Sequence, residues 1–124
     1  MGRVLWAAGI YNLVWGSVAA AFPVESFRAL GMVPPNYPEL WQCIGMIVGV
    51  YGVGYILAAR APYRHWPIVL VGLAGKVLGP LGFVQSYAAG RLPLAFGLHN
   101  ITNDMIWWIP FALILRGVYL AGKP

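Results

Sequence analysis

Charge is scarce in this chain: 9% of its 124 residues are Asp, Glu, Lys or Arg, and the acids are Glu25, Glu39 and Asp104 alone. Soluble domains carry about 25% charged residues, so a conventional hydrated surface is excluded. Cysteine is scarcer still. Cys43 is the only one, which rules out an intramolecular disulfide and any cysteine-cluster metal site; within Gln42-Cys43-Ile44-Gly45 it reads as a small buried packing residue. There is no His-Glu-x-x-His pairing and no Ser/His/Asp set in a recognisable local context, so neither zinc nor nucleophilic chemistry is predicted, and no catalytic or metal-binding residue is assigned. The formal charge of +5 does not indicate nucleic acid, because the bases stand at the ends of apolar runs and no basic face can be drawn.

Hydrophobic residues make up 60% of the chain, with 16 Gly, 6 Trp and 7 Tyr. Small residues that let helix backbones approach and aromatic rings that sit at the headgroups are marks of membrane helices. The predicted fold class is all-α: an integral membrane bundle of four transmembrane helices in a single domain, 1–124. The spans are placed at about 3–22, 41–59, 66–89 and 97–120, each near the roughly 20 residues that cross about 30 Å of hydrocarbon. The first run also has the basic start and Ala19-Ala20-Ala21 end of a signal peptide, and is read as a retained span. A short interfacial helix is expected over 24–31, with a Glu25/Arg28 pair and Gly31 as its stop. Pro34-Pro35-Asn36-Tyr37-Pro38 then stiffens the crossing to the second span. Arg3, Arg60, Arg64, Arg116 and Lys123 fall on one side of such a bundle and Arg28 and Arg91 on the other. The positive-inside rule therefore places both termini in the cytoplasm of a bacterial inner membrane.

Polar capacity is concentrated in His99-Asn100-Ile101-Thr102-Asn103-Asp104. A carboxylate in hydrocarbon needs a partner. Lys76, alone in the apolar stretch 69–84 and on the face of Gly72, Gly75, Gly79 and Gly82, is the expected one. At 1.5 Å per residue both fall at similar depth, with Asn12 near the midplane. Lys76, Asp104, Asn12, Asn100, Asn103 and His99 are the predicted ligand-binding or proton-linked polar core. Glu39 and Gln42 are placed at its entrance, and Trp107, Trp108 and Phe111 as an aromatic floor. Pro80 should kink its helix and free a backbone carbonyl. Gly45, Gly49 and Gly52 form a small-residue face for close helix packing, through which a second copy or partner membrane subunits are expected to dock.

Ile10-Tyr11-Asn12-Leu13-Val14-Trp15-Gly16, Pro38-Glu39-Leu40-Trp41-Gln42-Cys43-Ile44-Gly45-Met46, Gly72 to Pro80 and Thr102 to Phe111 together resemble a family of small uncharacterised bacterial four-helix membrane proteins. Members are sometimes labelled alkyl hydroperoxide reductase. This sequence lacks the Pro-xxx-Thr-xx-Cys motif and the βαβ pattern of that activity, and a thiolate would be disfavoured in the apolar helix around Cys43. The resemblance therefore implies a fold and no activity. The leading expectation is a membrane carrier or binding protein for a small ligand or proton-linked solute, with no cofactor assigned. An accessory subunit of a respiratory or photosynthetic assembly is the alternative, and a membrane enzyme acting on lipid or quinone the third.

Overall fold

The computed structural model describes residues 1–122. Lys123, counted above with the cytoplasmic bases, lies outside the described residues. The described chain is helical: α1 (Gly2–Ala21), α2 (Pro23–Ala29), α3 (Pro38–Ala59), α4 (Trp66–Ala88), α5 (Leu94–Asn103), a 3₁₀ turn (Met105–Trp107) and α6 (Trp108–Leu120). Three of these, α1, α3 and α4, are long and apolar enough to cross a membrane. Prolines open α2, α3 and α4 within their first two positions, where the missing N–H costs nothing and the fixed φ favours the helix. Gly31, at φ 70°, and Gly90, at φ 75°, take the left-handed turns that follow α2 and α4.

α1 and α3 form the closest pair, antiparallel, and small residues in a seven-residue spacing make it possible. A side chain added at Gly2 would meet the Ala59 carbonyl at 2.7 Å; at Gly9, the Gly52 carbonyl at 2.7 Å; at Gly45, the Gly16 carbonyl at 2.7 Å. The expected Gly45/Gly52 face thus meets Gly9 and Gly16 of α1 within one chain. Gly45 and Gly52 lie against α1, which leaves that part of the face covered before any second copy or partner subunit could reach it. Cys43, expected to be buried, is exposed, because α1 takes the opposite side of α3.

The core sits at one end of the bundle. Leu5 and Ala8 of α1, Tyr55, Ala58 and Ala59 of α3, Val69 of α4, and Phe111 and Ile114 of α6 pack into one cluster, with the Tyr55 ring edge-on to Phe111 at 5.2 Å. Towards the other end α3 and α4 diverge. Outward-facing side chains such as Val14, Met46, Val50, Leu78, Leu81 and Ile109 are apolar and exposed, as a hydrocarbon-facing surface requires.

The last expected span is the main departure. Instead of a continuous helix over 97–120, the chain breaks at Asp104 (φ −125°, ψ −59°), leaving α6 only 13 residues long. At 1.5 Å per residue that is about 20 Å, short of the roughly 30 Å of a bilayer core. No glycine or proline stands at the break. Two carbonyls at the end of α5 accept side-chain donors, described next.

Candidate functional site

Lys76 lies mid-way along α4 and is 4% exposed; Asn12, Asn100 and Asp104 are 4%, 5% and 6% exposed. Lys76 and Asp104 do not meet head to head but share Asn103. The Lys76 ammonium donates to the Asn103 backbone carbonyl at 2.7 Å, while the Asn103 side-chain amide donates to Asp104 Oδ1 at 3.1 Å. That carbonyl is available because the helix breaks one residue later. A cation at the C-terminal end of α5 also complements the partial negative charge there. Beneath the ammonium are three ring faces: Tyr55 at 5.5 Å, Trp107 at 5.9 Å and Phe111 at 5.9 Å, each contributing cation–π attraction of about 0.5–2 kcal/mol.

Two indoles settle the backbone around this group. Pro80 has no N–H, so the carbonyl of Lys76 four residues before it lacks its helical donor. The Trp108 indole supplies the bond instead, at 2.8 Å. Trp107 does the same for α5, donating to the Thr102 carbonyl at 2.9 Å. The expected aromatic floor is therefore divided: Trp107 and Phe111 lie under Lys76, whereas Trp108 donates to the α4 carbonyl that Pro80 leaves without a helical donor.

The α4 glycines shape what lies above. Tyr55 fills the space beside Gly72, and Asp104 Oδ2 would lie 2.9 Å from a Cβ at Gly79; beside Gly75 and Gly82 the space is open. That opening is part of a cavity of about 560 Å³ between α3 and α4, reached also by α1 and α5. All six residues of the expected polar core line it: Asn12, Lys76, His99, Asn100, Asn103 and Asp104. Glu39 and Gln42, expected at its entrance, do not. Glu39 is exposed, and Gln42 donates to the Ala20 carbonyl at 2.8 Å, tying α3 to the end of α1. Tyr55 and Trp41 belong to the site although sequence reading passed over them: Tyr55 stands in an apolar run, and beside Trp41 the polar Glu39 and Gln42 drew the assignment.

Four polar atoms in this lining are buried without a partner: Asn12 Oδ1, Trp41 Nε1, Asn100 Nδ2 and Asn103 Oδ1. An unsatisfied buried group costs about 1–3 kcal/mol. Trp15, Trp41, Phe96 and His99 form the boundary with a second, smaller cavity of about 210 Å³ under α2. There His99 stacks on Trp15 at 6.0 Å, and its Nδ1 bonds the Phe96 carbonyl of its own helix. Comparison of the chain with protein-family models, with curated proteins and with solved structures gave no match.

Proposed function

We propose that this chain is a small membrane protein that binds a small amphipathic molecule in the cleft between α3 and α4 and exchanges it with the bilayer. One observation carries the reading: Asn12, Asn100 and Asn103, each with an unpartnered buried side-chain atom, line the same 560 Å³ cavity as Lys76. Polar groups that merely lock helices together pair with one another, because an open one is costly in hydrocarbon. Here Asn12, Asn100 and Asn103 each keep one side-chain atom unpaired. The Lys76–Asn103–Asp104 relay gives the site a means of coupling binding to proton transfer, as intramembrane charge pairs do in carriers.

α5 and α6 together make the fourth crossing in this reading, a broken span whose Asn103 carbonyl binds the Lys76 ammonium; broken helices occur at the binding sites of transporters. α2, with Phe27 packed edge-on to Trp41 at 5.0 Å, lies along the outer interface. The distribution of arginines supports cytoplasmic termini in a bacterial inner membrane. The accessory-subunit alternative loses its specific support, since α1 covers Gly45 and Gly52. The test is native mass spectrometry of protein released from its own membrane. A bound small molecule is expected on the wild-type chain and its loss on Asn100→Leu; bare chains in both cases, with the fold intact by circular dichroism, would refute the reading.

A further inference from the structure

Independently of the cleft between α3 and α4, we infer that the end of the bundle where α1 starts and α6 finishes binds the phosphate headgroups of anionic phospholipids. Contacts bring four arginines to that end. Gly2 packs on the Ala59 carbonyl, which sets Arg3 and Arg60 at one level, and Gly117 packs on the Tyr63 hydroxyl and the Met1 methyl, which brings Arg116 and Arg64 to the same level. All four arginines are exposed. No acidic side chain stands among them. Glu25 belongs to α2 and Glu39 to the first turn of α3, which places Glu39 about 30 Å along the helix from Ala59. At that distance a charge is screened, since the Debye length is about 10 Å at 0.1 M salt. Asp104 is buried beside Gly79 and is linked through Asn103 to Lys76.

The surroundings of two of these arginines point to a lipid and not to an acidic protein. Arg3 shares a face of α1 with Trp6, Ile10 and Val14, and Arg116 shares a face of α6 with Leu113 and Ile109, all at spacings of three or four. Those five apolar residues are exposed. Arg3 and Arg116 therefore stand at the ends of hydrocarbon-facing stripes. A phospholipid fits both parts at once, with its phosphate on the guanidinium and an acyl chain along the stripe. An acidic protein in the water phase would meet the charge and leave the stripe unused. The planar guanidinium suits this role because it binds two phosphate oxygens together. Trp6, one turn inward from Arg3, is of the residue type that anchors at headgroup level.

The test offers the full chain, in detergent, equal amounts of phosphatidylglycerol and phosphatidylcholine with identical acyl chains, and counts retained lipids by native mass spectrometry. The wild type is expected to retain phosphatidylglycerol in excess by roughly fivefold or more, the effect of one base near an anionic headgroup. Arg3→Gln combined with Arg116→Gln should reduce that excess by at least about threefold. Arg28→Gln combined with Arg91→Gln removes the same charge from the opposite end and should leave the excess within about twofold of the wild type. All four positions are exposed, so the fold is expected to survive, with circular dichroism as the check. Equal retention of the two lipids by the wild type would overturn the inference. So would an equal fall in both double variants, which would reduce the preference to net charge. Binding of polyglutamate without any preference between the lipids would assign this end to an acidic protein instead.

Discussion

Trp108→Phe removes one N–H and keeps most of the ring, so it isolates the bond from the indole to the Lys76 carbonyl at 2.8 Å. In the wild type that carbonyl has no helical donor because residue 80 is proline. The variant should therefore strand a carbonyl in apolar surroundings, at a cost of about 1–3 kcal/mol. Pro80→Ala restores a backbone N–H four residues after Lys76. In that background the carbonyl is satisfied within α4, and Trp108→Phe should cost about 1–3 kcal/mol less than in the wild type. Reversible unfolding of the four proteins in mixed micelles gives the cycle, and because Pro80→Ala also alters packing, the coupling energy is the quantity to compare. Equal costs of Trp108→Phe in both backgrounds would show that the indole does not stand in for the missing N–H.

Lys76→Met and Asp104→Leu should each destabilise the protein by about 3–5 kcal/mol, since each leaves a buried charge uncompensated, and the double variant should cost at least about 1 kcal/mol less than their sum; unfolding measured as above checks this, and additivity would show that Asn103 does not link them. In a Cys43→Ala background, a cysteine introduced at Tyr63 should be protected from an impermeant thiol reagent in intact cells, and one at Asn36 should react. Labelling of both from outside would overturn the proposed orientation.

What could be read from the residues alone was what depends on local pattern. Apolar runs of helical length marked α1, α3 and α4, and the scarcity of polar groups made Lys76, Asp104 and the three asparagines conspicuous; all of them line one cavity. Pro80 announced a free carbonyl because the loss of an N–H is local chemistry. The break at Asp104 was not readable in that way. Nothing in Asn100 to Asp104 forbids a helix, and one of the two donors at the break, the Lys76 ammonium, comes from α4, 27 residues away in sequence, while the Trp107 indole supplies the other. Likewise Gly45 and Gly52 declare a close neighbour without saying which, and that choice decided both the covering of this face by α1 and the exposure of Cys43. Gln42 looked like a polar group near an entrance, yet the end of α1 supplied an unfilled carbonyl within its reach.

The central claim is that the cleft between α3 and α4 holds a small molecule, and an experimental density map of the protein extracted with its native lipids tests it most directly. The account predicts an ordered feature larger than water within hydrogen-bonding distance of Asn12 Oδ1 and Asn103 Oδ1, flanked by Trp41 and Tyr55. A map in which α3 and α4 close on each other, with those oxygens paired to protein groups and no space left between them, would contradict it.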